Sequence, residues 1–124
     1  MRTAKITLNN KEYLLCFSTR VIRSCAERYG SVDGIDAALS EGDQLKKLDE
    51  SIWLLSAMLD GGARYAKLNG IDNPPAPTFD DLYDICDISD FSNLKSKIQE
   101  TITNGKEASV NIEASKNVIA TPTA

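Results

Sequence analysis

Histidine is absent from the 124 residues. Its absence removes the commonest general base and a favoured metal ligand. Cysteine is scarce: Cys16, Cys25 and Cys86 are odd in number, widely spaced and without a Cys-x-x-Cys pair. That excludes a disulfide framework and leaves a zinc site short of ligands. Each cysteine stands among apolar neighbours, so all three read as small buried hydrophobes in a reducing compartment. The longest dense apolar stretch, Ile52–Leu59, is less than half of a membrane span of ~20 residues. Nor does an apolar run follow Met1-Arg2-Thr3-Ala4-Lys5 to make a signal peptide. Gly-rich phosphate loops, G-x-S-x-G elbows and H-E-x-x-H motifs are missing too. With a net charge of −4, a general nucleic-acid binder is disfavoured. The reading is a soluble cytoplasmic protein with no catalytic residue, no cofactor, no metal, and neither nucleic acid nor membrane as a partner.

What the chain does contain is 42% hydrophobic and 26% charged residues, an ordinary globular composition for one domain. Residues 3–18 predict a β-hairpin. Lys5-Ile6-Thr7-Leu8 alternates polar and apolar, Asn9-Asn10 suits a tight turn with positive φ, and Glu12–Phe17 returns as a second strand. Such a hairpin is marginal alone and must lie on something else.

The rest of the domain reads as helical. Ser18 or Thr19 caps a helix to about Tyr29, which Gly30 ends. A short helix follows near Gly34–Leu39. The central helix spans about Asp43–Leu68, and Ser40 with Asp43 has capping-box spacing. Two apolar rows follow it, Leu45-Leu48-Ile52-Leu55-Leu59-Gly62-Ala66 and Leu54-Met58-Gly61-Tyr65-Leu68, so it predicts a buried spine. Trp53 and Tyr65 read as part of its packing. Gly61-Gly62 interrupts it at a cost of ~1 kcal/mol per glycine. The pair reads as a close backbone approach rather than a hinge, because the apolar register runs through it. Beyond Asn69-Gly70 and the prolines 74, 75 and 77, Thr78 caps a helix over Phe79–Asp87, and Asp90 starts a last one to about Thr103. Residues 105–124 have no aromatic residue and zero net charge, the composition of a flexible tail. The fold expected is therefore mainly α (α+β): an N-terminal hairpin packed on a small bundle of four to five helices over residues 1–104, followed by a disordered C-terminal tail.

Charge is unevenly spread. Residues 1–30 carry a net of +4, and residues 72–90 hold six aspartates and no basic residue. The two stretches can face each other, face water, or attract between copies, so a homo-oligomer is one expectation. Asp80, Asp84 and Asp87 share one face of the expected short helix, and read as a solvated acidic surface rather than a cation site. By elimination, a protein-interaction module is the best-supported class. Its candidate partner-binding residues are Arg20, Arg23, Arg64, Asp80 and Asp84, with Arg64 equally suited to a structural ion pair.

The order of these elements resembles that of tail assembly chaperones of long-tailed bacteriophages and prophages. The similarity rests on Ile6-Thr7-Leu8-Asn9-Asn10-Lys11-Glu12-Tyr13, the basic helix Arg20–Tyr29, Trp53–Leu59 with Gly62-Ala63-Arg64-Tyr65, the Asn69-Gly70 stop, and Thr78-x-x-Asp81-Leu82. It covers residues 4–104, and departs from the family at Asn10, where glycine is usual. The resemblance implies a non-catalytic protein of the host bacterium's cytoplasm that binds the tape measure protein and helps recruit tail tube subunits during virion morphogenesis. It also implies a tail suited to a frameshifted extension. The alternative readings are a small acidic regulatory or inhibitor protein that binds one folded partner, and an enzyme subunit without its own active site.

Overall fold

The computed structural model describes residues 3–87 and 91–120, with side chains through 106. It has the expected architecture: a two-stranded antiparallel hairpin followed by five helices. Strands β1 (Thr3–Leu8) and β2 (Lys11–Cys16) pair from Leu8 opposite Lys11 to Thr3 opposite Cys16. Asn9 and Asn10 adopt φ of 50° and 63°. A two-residue turn that follows the strand twist needs positive φ at both positions, which asparagine tolerates better than other non-glycine residues. In β1, Ala4, Ile6 and Leu8 are buried while Lys5 and Thr7 face out, and in β2 all of Tyr13–Cys16 is buried, so the far end of the hairpin is covered on both faces.

Each helix starts and stops on local chemistry. α1 (Thr19–Tyr29) is capped by Ser18, whose hydroxyl accepts from the Val21 amide, and closed by Gly30 at φ 81°. α2 (Gly34–Ser40) is short. α3 (Gln44–Asn69) begins at Asp43, whose carboxylate accepts from the Lys46 amide at 2.8 Å, and ends at Gly70 with φ 65°. The capping box expected between Ser40 and Asp43 does not form. Ser40 is still inside α2, where its hydroxyl donates to the Asp36 carbonyl. α4 (Phe79–Ile85) carries a true capping box between Thr78 and Asp81. It stops at Ile85, short of the expected Asp87, so Asp87 does not share a helical face with Asp80 and Asp84.

α5 spans Phe91–Ala120. Asp90, expected to start it, lies outside the described residues. The helix does not stop near Thr103. Gly105 is buried within it, and a Cβ there would come within 2.9 Å of both the Phe17 Cβ and the Phe17 carbonyl. What reads in sequence as a break is a helix glycine packed against a neighbour, and the helical backbone continues through the stretch read as a tail. Residues 121–124 of that stretch lie outside the described residues.

β2 lies along α3, and β1 against α5. Ile52, Leu54, Leu55, Met58 and Leu59 of α3 are fully buried, together with Leu15, Phe17, Leu82, Leu94 and Ile98. Each such side chain contributes ~1.5–3 kcal/mol by leaving water. The close approach at Gly61-Gly62 is present. A Cβ on Gly62 would overlap the Leu14 carbonyl, and one on Gly61 would stand 2.7 Å from the Cys16 carbonyl. At its two ends the spine is not covered as the apolar rows predict, since Leu45 is 67% exposed and Leu68 85%. Both outer edges of the hairpin are tied down. The Leu14 amide donates to the Asn73 side chain at 2.9 Å, and the Asn104 side chain donates to the Thr3 carbonyl at 2.9 Å. Among the described residues no helix is long and apolar enough to cross a membrane.

Candidate functional site

Three elements meet around an open trough of about 640 Å³. Ser24 of α1 forms one wall, Trp53, Ser56, Ala57 and Asp60 of α3 the floor, and Ala76, Pro77, Thr78 and Phe79, leading into α4, the other wall. The walls follow from sequence. Prolines 74, 75 and 77 hold the approach to α4 extended. The capping box at Thr78 then turns the chain so that Leu82 is buried and Phe79 stays 38% exposed at the rim.

Trp53 is fixed from below by a cluster that sequence reading did not find. The Arg28 guanidinium donates to both carboxylate oxygens of Glu50, with Nε–Oε1 and Nη2–Oε2 each at 3.0 Å. It stacks over the Trp53 ring at 4.5 Å, and the Tyr29 ring meets Trp53 edge-on at 5.8 Å. A forked, stacked arginine is rigid in a way a lysine is not. Glu50 is one of the few buried charged residues, and its carboxylate strengthens the hold of Arg28 on its proton. Burial, helped by the Glu50 charge, pushes the Tyr29 hydroxyl upward. The spacing of Glu50 and Trp53, three apart on α3, was visible. That Arg28, 22 residues earlier, reaches both was not.

The five residues expected to bind a partner stand on the three elements that form the trough, without converging on one point. Arg20 and Arg23 are exposed on α1, both before Ser24 in the chain, and Arg23 is paired with Glu27 at 3.2 Å. Arg64 is paired with Asp60 of the trough floor at 2.9 Å, which is the structural ion pair considered for it. Asp80 and Asp84 are exposed on α4. Part of the basic charge of the first thirty residues is neutralised locally, since Lys5 is paired with Glu12 and Arg28 with Glu50 as well. Trp53, expected to be core, is half-buried and lines the trough.

The trough's chemistry is that of a contact surface. Its lining mixes apolar side chains with hydroxyls and one ion-paired carboxylate. The shifted groups elsewhere move away from reactivity. Burial pushes the Cys25 thiol up to about 11, the opposite of an activated nucleophile. Partial burial and the hydrogen bond to Asp49 push Tyr83 up to about 12. Among the described residues, no disulfide is formed and no group of three or more metal-ligating side chains comes together. Compared with models of known protein families, with curated proteins and with solved structures, the chain matches none.

Proposed function

We propose that this protein is a non-catalytic tail assembly chaperone of a long-tailed bacteriophage or prophage, working in the cytoplasm of the host bacterium. On this reading it covers apolar helical stretches of the tape measure protein and helps bring tail tube subunits to it. The observation that carries the reading is the trough. It is open to solvent and lined by the braced Trp53, Ala57, Phe79 and Pro77. A surface of that shape accepts a partner helix laid across it, with apolar anchors at helical spacing. Exposed charges of both signs on the flanking helices, Arg20 on α1 and Asp80 and Asp84 on α4, suit a helix of mixed charge and fix its direction more than its affinity.

Co-expression with a long helical tape measure protein is the test. The wild-type chain keeps that protein soluble, and Ser56→Arg, which fills the trough floor from a half-buried position, loses the effect while its melting temperature stays close to wild type. A tape measure protein that stays insoluble, or one equally soluble with either variant, overturns the reading. The exposed aspartates of α4 favour a second reading, an acidic inhibitor of one folded protein. There, Asp80→Lys with Asp84→Lys abolishes binding while Ser56→Arg leaves it intact.

A further inference from the structure

A second groove lies away from the trough, where the end of α2 and the first turns of α3 face the start of α5. Leu39, Leu45, Leu48 and Phe91 supply its apolar surface, and it holds about 610 Å³. Leu45 is 67% exposed, in the first turn of a helix that buries its other large aliphatic side chains from Ile52 to Leu59. Leu45 and Leu48 stand three apart and so form one ridge along the groove.

Charge distinguishes this groove from the rest of an acidic molecule. The charged side chains in its lining are Lys47, from α3, and Lys95, from α5. Among the described residues neither has an ion-pair partner. The acids nearest Lys47 in sequence are engaged elsewhere: Asp43 caps α3, Asp49 accepts from the Tyr83 hydroxyl at 2.8 Å, and Glu50 holds Arg28. The groove is therefore an apolar slot with two lysines in its lining, neither paired among the described residues, on a chain of net charge −4.

We propose that this groove docks an amphipathic helix of a partner protein whose apolar row is flanked by acidic side chains. Apolar residues three and four apart on that helix fill the space beside Leu45 and Phe91. Carboxylates on its flanks meet Lys47 and Lys95, and this excludes basic helices of the same shape. The proposal is independent of what occupies the trough.

Two labelled synthetic peptides of about 18 residues test it on the full chain, each with one leucine row, one flanked by glutamates and the other by lysines. Fluorescence anisotropy at low salt is expected to show the glutamate peptide binding about tenfold more tightly or better, with the gap closing as salt rises. Leu45→Asp is expected to weaken it by a similar factor. Lys47→Glu combined with Lys95→Glu is expected to reverse the preference in favour of the lysine peptide, which a general loss of structure does not do. Equal affinity for the two peptides overturns the proposal, as does binding indifferent to Leu45→Asp. Light scattering that shows a concentration-dependent dimer, made monomeric by Leu45→Asp, also overturns it, by placing a second copy in the groove.

Discussion

At Gly62 the α3 backbone leaves no room for a methyl group beside the Leu14 carbonyl, whereas about five turns earlier the same helix holds Leu45 67% exposed. These two stretches of α3 are built from opposite choices, and beyond the glycines Leu68 is exposed again. At the glycine end, β2 is pressed onto the helix backbone, and the contact is between main chains with no side chain to adjust. At the leucine end, large side chains project past the neighbouring elements and part of their surface stays in water. A main-chain contact has a single solution, so that end sets the fold. A projecting apolar ridge costs the free protein little in packing and gains only when something covers it. The trough lies between these extremes, with Trp53 braced on one side by the fold and open on the other to a partner.

The sharpest way to break this contrast is at the glycine end. Gly62→Ala adds one methyl group against a strand backbone that is itself held by the hairpin ladder and by Asn73. The gain in helix propensity of ~1 kcal/mol is expected to be overwhelmed, with a net loss of about 3 kcal/mol or more, read as a fall in the urea midpoint. Gly61→Ala is expected to cost less, because the nearest backbone atom stands 2.7 Å from the added Cβ. A Gly62→Ala protein as stable as wild type would mean that β2 can lift off the helix.

Next in size is the brace beneath the trough. Arg28→Ala leaves the Glu50 carboxylate, whose side chain is 11% exposed, without its partner, and removes the cation over Trp53. Breaking a fully buried pair costs more. With the arginine side chain 40% exposed, water replaces part of the contact, and a loss of about 2 kcal/mol is expected in chemical denaturation. Trp53 emission is expected to shift to the red in the folded state, since the ring loses its cover. A change in stability without a change in emission would separate the ion pair from the trough.

Much of this fold was legible in the sequence, and what was legible is local. Asn9-Asn10, Ser18, Gly30, Gly70 and Thr78 each specify a turn or helix end through a bond or a φ that involves only their neighbours. The close approach at Gly61-Gly62 was legible because an apolar register ran through both glycines. Properties set by how distant elements cross were not. Arg28 and Glu50 are 22 residues apart on different helices, and no periodicity joins them. Leu45 and Leu68 continue the apolar rows of α3, yet both are left exposed. Gly105 follows Asn104 like a helix stop, but its lack of a side chain serves the contact with Phe17 instead. In the same way the candidate site's five charged residues could be placed on helices, whereas the trough they surround depends on the tertiary arrangement.

A smaller effect is expected at the strap that holds α4 against α3, the bond from the Tyr83 hydroxyl to Asp49 at 2.8 Å. Both groups are partly in water, so Tyr83→Phe is expected to cost less than about 1 kcal/mol. Its dependence on pH identifies it. The folded Tyr83 titrates at about 12, above the ~10 of an unfolded tyrosine. The bond's contribution is therefore complete below pH ~10 and disappears as the pH rises through the folded value. The difference in stability between wild type and Tyr83→Phe, measured in urea from neutral pH upward, is expected to stay constant and then shrink between about 10 and 12. A difference that grows over that range would place the bond elsewhere.

The smallest effect is expected at the open end of α3, where Leu45→Asp tests whether the fold uses that side chain. Leu45 is the second residue of α3, two after the cap residue Asp43, and an added carboxylate in the first turn interacts favourably with the helix dipole by about 0.3–1 kcal/mol in typical cases, about enough to offset the lost partial burial. The net change in stability is therefore expected to be within about 0.5 kcal/mol, an order of magnitude in equilibrium constant or more below that of Gly62→Ala. The two substitutions on one helix then separate what holds the domain together from what it presents to a partner. If Leu45→Asp instead unfolds the protein as readily as Gly62→Ala, the groove is part of the core closing over itself, and the contrast between the two ends of α3 fails.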